Sequence, residues 1–241
     1  MGQFYTGYNE AEYMCNCLGI KKDELVVDIT AGIGNMFNFC PTEKNCHANE
    51  IDLKSYKVLN KLYPDVVATH GDMINYNPLM LFDISLGNPP FNLKLFYKNE
   101  YQLSQYVYIQ KCNELLKTGG LMALIVPYSF LNDEFSDKKY IEYMNNNFSF
   151  ICQIELKKDA FKYLGVDNFK TKIMFFNKKS QYIDNKEYKN VFVTGSSEKI
   201  YNDHILPVRQ QLEKNKSRIR LENMHNYNNN DKNYAYSRDL S

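Results

Sequence analysis

The sequence predicts an α/β fold built on a mainly parallel β-sheet with helices on both faces. Seven short apolar runs alternate with longer amphipathic stretches along the chain. Such alternation is typical of strands connected by crossover helices. The runs are almost continuously apolar, as expected for strands that are buried on both faces. In folds of this kind, ligands bind at the carboxyl ends of the strands, so the turns after the runs predict the chemistry.

The predicted elements follow in chain order. Amphipathic spacing predicts three helices, Leu53–Leu62, Leu103–Lys117 and Glu134–Asn146, and the Gly119-Gly120 pair is expected to end the second. A further helix is predicted at His204–Leu221, in a lysine-rich region. The predicted strands are Leu25–Thr30, Cys46–Ile51, Val66–Thr69, Phe82–Leu86, Leu121–Val126, Phe150–Leu156 and Lys172–Phe176.

Composition and charge limit the classes of function. The 241 residues carry 29 basic and 28 acidic side chains, a net charge of +1 that does not by itself indicate a nucleic-acid partner. The charge is uneven, however, with a net −5 in residues 1–150 and a net +6 in residues 151–241. Six scattered cysteines, no leader-like start and no membrane-length apolar stretch predict a cytoplasmic protein without a membrane span. The spacing of Cys40, Cys46 and His47 fits no common zinc site, so no metal is expected.

A glycine-containing turn follows the first predicted strand. Asp28 ends the apolar run, and Gly32 and Gly34 allow the backbone to approach a ligand closely because they lack a Cβ atom. The third glycine of a dinucleotide motif is replaced by Phe37, and the chain has no phosphate-binding Gly-Lys-Ser/Thr loop. The turn therefore favours a nucleoside over a pyrophosphate ligand, and a plain strand-helix turn is the alternative.

The next two strand ends carry carboxylates. Glu50 lies at the end of the second strand, where a carboxylate can accept hydrogen bonds from both ribose hydroxyls. Asp72 follows the third strand, where it can accept a hydrogen bond from an adenine amino group. Taken singly, each could be a solvated loop acid, whereas together they predict a nucleoside site.

The fourth strand ends in the sequence Asn88-Pro89-Pro90-Phe91. Two prolines fix the backbone dihedral φ and keep the preceding residues extended, so the turn is rigid. The Asn88 side-chain carbonyl and the Pro89 backbone carbonyl can together accept both hydrogens of one planar amino group. Phe91 offers a face on which the ring that carries this amino group can stack.

With these motifs, the chain resembles the class I S-adenosylmethionine-dependent methyltransferases, and within them the adenine-specific DNA methyltransferases. The resemblance covers residues 2–177: Gly2 to Gly7 is similar to the family's opening segment, with Gly7 in place of proline, and Leu115 to Pro127 is similar to its sixth motif. It implies a Rossmann-like, seven-stranded sheet with one antiparallel strand. It also implies S-adenosylmethionine as the cofactor, held by Thr6, Asp28, Ala31, Gly32, Gly34, Glu50, Ile51, Asp72, Met73 and Asn88.

The resemblance further implies direct methylation of the exocyclic amine of adenine in DNA, with Asn88, Pro89, Pro90 and Phe91 as the catalytic turn. The target base is expected to flip out of the duplex, with Phe161 or Phe169 as a second stacking face. Methylation of ribosomal RNA or of protein glutamine is the first alternative. A modification or DNA-binding subunit that needs a partner, such as a recognition or restriction subunit, is the second.

Residues 178–241 are expected to form a basic, tyrosine- and asparagine-rich appendage that binds the target or a partner. Lysine-rich helices are more commonly solvated faces, and this alternative stays open. The residues expected to follow a phosphate backbone are Arg209, Lys214, Lys216, Arg218 and Arg220, with Tyr227, Tyr234 and Tyr236 nearby.

Overall fold

A computed structural model describes residues 5–132, 137–157 and 169–226. Its nine strands are β1 (Val26–Asp28), β2 (Cys46–Glu50), β3 (Val67–His70), β4 (Phe82–Gly87), β5 (Lys94–Tyr97), β6 (Glu100–Leu103), β7 (Leu116–Pro127), β8 (Phe148–Glu155) and β9 (Thr171–Lys178). Seven of them form one sheet in the order β3-β2-β1-β4-β7-β9-β8, and β5 pairs with β6 in a separate hairpin. Only β9 runs antiparallel to its neighbours in the large sheet. The predicted fold, with one antiparallel strand, is confirmed.

Helices cover both faces of this sheet. Along β7, Leu121 and Ala123 pack into one buried cluster with the helix Tyr8–Leu18, whereas Met122 and Leu124 pack into a second cluster with the helix Ser104–Leu115. None of the described helices is both long enough and apolar enough to cross a membrane. The helices are α1 (Tyr8–Leu18), α2 (Leu53–Leu62), α3 (Ser104–Leu115), α4 (Lys138–Asn147), α5 (Ser197–Ile200), α6 (Leu206–Lys214) and α7 (residues 216–226).

Several local predictions differ from the structure. The α1 helix and the β5–β6 hairpin were not predicted. The Gly119-Gly120 pair does not end α3, which stops at Leu115; it lies in an irregular part of β7, where the register against β4 shifts. The predicted helix His204–Leu221 is broken into a π-helical turn, α6 and α7. The predicted helix start at Glu134 lies outside the described residues.

The region after β9 contacts the main core. Ile200 and Ile205 are fully buried in the same cluster as α1. Arg209 is 6% exposed, and its guanidinium donates to the Glu24 carboxylate at 2.6 Å and to the Leu18 carbonyl at 2.9 Å. The prediction that Arg209 follows a phosphate backbone is therefore wrong, because its charge is already used inside the fold. The division at residue 178 stays a prediction, and Tyr227, Tyr234 and Tyr236 lie outside the described residues.

Gly87, the last residue of β4, is required by close packing. A Cβ atom at this position would overlap the ring and the hydroxyl group of the fully buried Tyr108. We expect Gly87→Ala to lower the free energy of unfolding in urea by about 1–3 kcal/mol through overpacking. Gly71→Ala is the matched control, because its nearest neighbour is 3.7 Å away. Equal stability of the two variants would contradict this account.

Candidate active site

The glycine turn lies at the carboxyl end of β1. The Asp28 carboxylate accepts a hydrogen bond from the Thr30 amide at 2.9 Å, which shapes the start of the turn. Gly32 and Gly34 have φ angles of 57° and 86°, in the left-handed region that favours glycine. The Ala31 amide donates to the Asn49 carbonyl at 3.0 Å, so the turn is joined to β2.

Asp28 is buried at this strand end, 3% exposed. Removal from water raises the pKa of its carboxyl group to about 7, and repulsion from Glu50 acts in the same direction, while the hydrogen bonds from Thr30 oppose the shift. The carboxyl group can therefore change its charge near neutral pH. A cation placed beside it would favour the ionised form.

Glu50 connects the ends of β1 and β2. Its two carboxylate oxygens accept hydrogen bonds from the amides of Gly32 and Asp52, each at 2.7 Å. The side chain is 6% exposed, and each oxygen keeps a second lone pair for a further donor. Ile51, next in the chain, is 63% exposed and offers an apolar surface beside this carboxylate.

The end of β3 is fixed to the same edge by Asn49, which is buried. Its amide nitrogen donates to the carbonyls of Ile29 and Gly71, at 3.3 and 2.9 Å. Asp72 follows directly and accepts from the Ile74 amide at 2.9 Å, which starts a short 3₁₀ helix that contains the buried Met73. The predicted adenine-binding pair therefore lies at the expected strand end, although neither residue lines the pocket that holds Asp28.

The Asn-Pro-Pro-Phe turn, residues 88–91, follows β4 at the same sheet edge. Pro89 is buried, and the Pro90 carbonyl accepts a hydrogen bond from the Ser104 hydroxyl at the start of α3. The Phe91 ring stacks on Phe169, with centroids 5.7 Å apart and planes 21° apart. Of the two predicted second aromatic residues, the structure thus brings Phe169 to the turn, and Phe161 lies outside the described residues.

One pocket joins the glycine turn, Asn88 and the segment before α1. It encloses about 30 Å³, so a nucleoside bound here would extend beyond it along the strand ends. The Asn35 side chain donates to the Thr6 carbonyl at 2.7 Å. Asn35 was not predicted as a site residue, although its position directly after Gly34 could have indicated it. The pocket is lined by Tyr5, Thr6, Asp28, Thr30, Ala31, Gly32, Ile33, Asn35, Met36 and Asn88.

A larger cavity of about 730 Å³ lies at the opposite edge of the sheet, between the start of β7 and helices α6 and α7. Its basic side chains include Lys117 and Arg209, which are paired with Asp83 and Glu24. Volume alone would favour this cavity, but none of the polar strand ends reaches it. We therefore assign the candidate active site to the smaller pocket.

Comparison with known families identifies the chain. A family model described as Eco57I restriction-modification methylase matches residues 16–161, more than half of the chain. The chain belongs to the Eco57I restriction-modification methylase family. The match includes the glycine turn, Glu50 and the Asn-Pro-Pro-Phe turn of this methylase, whereas Thr6 and the other residues of the opening segment lie before it. No relative was found among curated protein sequences.

Solved structures share the fold of this methylase. The type I restriction-modification methyltransferase subunit from Streptococcus thermophilus superposes with a TM-score of 0.64 at 15% identity, covering 87% of this chain and 54% of that one. The type I enzyme EcoKI M protein superposes with a TM-score of 0.61 at 18% identity, covering 77% of this chain and 46% of that one. An rRNA methylase from Streptococcus thermophilus superposes with a TM-score of 0.53 at 13% identity, covering 75% of this chain and 99% of that one. The chain spans about half the length of the two type I proteins.

The raised pKa of Asp28 predicts a pH-dependent stability. Between about pH 4 and about pH 7 the folded state holds a proton on Asp28 that the unfolded state releases, so this contribution to stability falls as pH rises. Asp28→Asn removes it, and we expect the variant to gain stability over the native protein by up to about 4 kcal/mol at about pH 8 but little at about pH 4. Urea unfolding at both pH values measures this difference. A gain that does not depend on pH would rule out the titration of Asp28 as its cause.

Proposed function

We propose that this methylase transfers a methyl group from S-adenosylmethionine to the exocyclic amino group of adenine in DNA. The observation that carries the proposal is the shared pocket of Asn88 and the β1 glycine turn. One side of this pocket has the glycine turn expected to hold the methionine part of the cofactor, and the other has Asn88, which is expected to bind an amine. Methyl transfer needs these two partners in contact.

The residues present fit S-adenosylmethionine. Two glycines with positive φ keep side chains out of the turn, and the buried Glu50 retains acceptor capacity for ribose hydroxyls. Asp28, Ala31, Gly32 and Gly34 would surround the methionine part together with Thr6. Ile51, Asp72 and Met73 would hold the adenine. Bound there, S-adenosylmethionine supplies an electrophilic methyl group on a positively charged sulfur.

Asn88 and Pro89 would prepare the amine for attack. The lone pair of an exocyclic amine is delocalised into the adenine ring, which makes it a weak nucleophile. Hydrogen bonds from its two N–H groups to the Asn88 side-chain carbonyl and the Pro89 carbonyl favour a pyramidal nitrogen with a localised lone pair. The prolines hold both acceptors in place before the substrate arrives, so no reorganisation is needed during the reaction.

Phe91 and Phe169 would receive a flipped base. Their nearly parallel rings lie beside the turn, so a base that displaces or extends this stack has an aromatic face on which to bind. Flipping costs a few kcal/mol, and stacking on an aromatic side chain returns about 1–3 kcal/mol per base. The aromatic pair therefore offsets much of the cost of extracting adenine from the duplex.

RNA is the second candidate substrate, because the rRNA methylase from Streptococcus thermophilus shares this fold over almost its whole length. Incubation with labelled cofactor and unmethylated duplex DNA, ribosomal RNA or release-factor protein separates the substrate classes. We expect the label in DNA, as methyladenine. Label in RNA or in protein glutamine would overturn the DNA assignment.

Target recognition is proposed to need a further subunit or region. The matched part of this chain covers only 46% and 54% of the two type I proteins, which are an M protein and a methyltransferase subunit. In this chain Arg209 is committed to the core, and Lys216 is paired with Glu213 at 3.3 Å. The purified chain is therefore expected to bind DNA with little sequence preference, which competition between duplexes of different sequence measures.

The amine-binding role of the turn gives a direct test. Asn88→Ala and Pro89→Ala should each lower methyl transfer by about 100-fold or more, because acceptors that act in the transition state are lost or misplaced. Cofactor affinity, measured by calorimetry, should change little in Pro89→Ala, which leaves every residue assigned to the cofactor in place. Asn60→Ala, which removes an asparagine side chain from α2, is the control. Full turnover in both turn variants would end this mechanism.

The ribose role of Glu50 gives a second test. Glu50→Gln keeps the size of the side chain but removes its charge and one acceptor, so we expect S-adenosylmethionine to bind about 10- to 100-fold more weakly. Asp52→Asn is the matched control, because Asp52 caps α2 through Ser55 and asparagine caps helices equally well. Calorimetric titration measures both. Equal loss in both variants would indicate a general disturbance of this strand end.

A further inference from the structure

The β5–β6 hairpin projects from the catalytic turn as a ribbon separate from the main sheet. Its first strand begins at Lys94, three residues after Phe91. Its two-residue loop, Lys98-Asn99, has positive φ angles at both positions, 50° and 65°, as in a type I′ turn. The loop therefore fixes the register, in which Phe96 lies opposite Tyr101.

The inner face of the hairpin is firmly attached to α3. The buried Gln102 donates to the Tyr97 carbonyl at 3.0 Å and accepts a hydrogen bond from Gln110. At the base of the hairpin, the Gln105 side chain donates to the Asn92 side chain at 3.0 Å and accepts from the Asn92 amide at the same distance. These bonds hold the ribbon in a defined position relative to the Asn-Pro-Pro-Phe turn.

The outer face carries Lys94, Phe96, Tyr101 and Leu103, since these residues form the alternate cross-strand pairs. Phe96 is 59% exposed and Tyr101 is 73% exposed. Their rings contact each other edge to face, with centroids 5.3 Å apart. No carboxylate lies on this face, because the only acid of the hairpin, Glu100, belongs to the other set of pairs and binds Lys139.

We propose that this outer face binds the DNA next to the target adenine, with Phe96 and Tyr101 stacking on exposed bases and Lys94 contacting a phosphate. The proposal rests on the function proposed above and adds a DNA-binding element to it. Exposed aromatic rings beside a cation are the combination that holds unstacked bases and their backbone. Burying both aromatic rings against DNA also explains why a separate ribbon keeps them in solvent.

The distance along the chain places this face beside the target. Phe96 is five positions after Phe91, and extended chain advances at most about 3.5 Å per residue, so Phe96 lies within about 17 Å of the turn. This reach corresponds to about five base steps of duplex DNA. A flipped adenine at Phe91 leaves one face of each flanking base uncovered within this range, and these are the faces that the hairpin can contact.

The test uses the full chain with Phe96 and Tyr101 both changed to Ala, and fluorescence anisotropy with a mixed-sequence duplex. We expect DNA affinity to fall by about 10- to 100-fold, while calorimetry shows unchanged S-adenosylmethionine binding. The aromatic exchange, Phe96→Tyr with Tyr101→Phe, should keep native DNA affinity. Leu79→Ala is the control, because Leu79 is 92% exposed but precedes β4 at the opposite sheet edge. Lys94→Gln should lower the slope of log DNA affinity against log salt concentration by about 1, the value of one phosphate contact.

The outcomes separate this inference from the proposed function. If the native chain methylates DNA and the double alanine variant binds DNA as tightly as the native chain, the hairpin inference is wrong and the function stands. If the variant keeps its DNA affinity but changes oligomeric state in light scattering, the face is a protein interface and the inference is also wrong. If the native chain neither binds nor methylates DNA, both proposals fail.

Discussion

The hydrogen bonds that Glu50 accepts from the amides of Gly32 and Asp52 are the interaction on which the candidate active site depends. Parallel strands bring their carboxyl ends to one edge, but they do not fix the turns that follow them. The buried Glu50 carboxylate joins the turn after β1 to the turn after β2, because it accepts one hydrogen bond of 2.7 Å from each turn. Asn49 extends the connection to the end of β3. The pocket is therefore preorganised by side chain to backbone bonds between neighbouring strand ends.

This arrangement has an electrostatic cost. Asp28 and Glu50 lie at adjacent strand ends, both nearly excluded from solvent, and their repulsion contributes to the raised pKa of Asp28. A positively charged group beside the pair would relieve that repulsion, as the sulfonium of the proposed cofactor would do. Burial and this repulsion together lower the stability of the folded state once Asp28 is ionised.

The sequence predicted the main sheet well, because apolar runs such as Leu121–Val126 report burial on both faces directly. It also predicted which strand ends carry polar groups, since Asp28 and Glu50 lie near the ends of such runs and Asn88 follows one. The β5–β6 hairpin escaped prediction because its turn uses Lys98 and Asn99 at positive φ, without the glycine that normally marks such a turn. The ion pair of Arg209 could not be predicted either, because its partner Glu24 lies 185 residues away and composition cannot show a pairing at that separation.

The reversed direction of β9 has a consequence for how this protein can diversify. Because β9 alone runs antiparallel, the segment that precedes it reaches the same edge as the segments that follow β1, β2 and β4. Phe169 belongs to that preceding segment and meets Phe91 there. The registers of both strands are set by pairs within the sheet, so the chain between β8 and β9 can change in length or sequence without shifting them. If Phe91 binds the target base as proposed, changes at this junction would alter the surface that meets that base first.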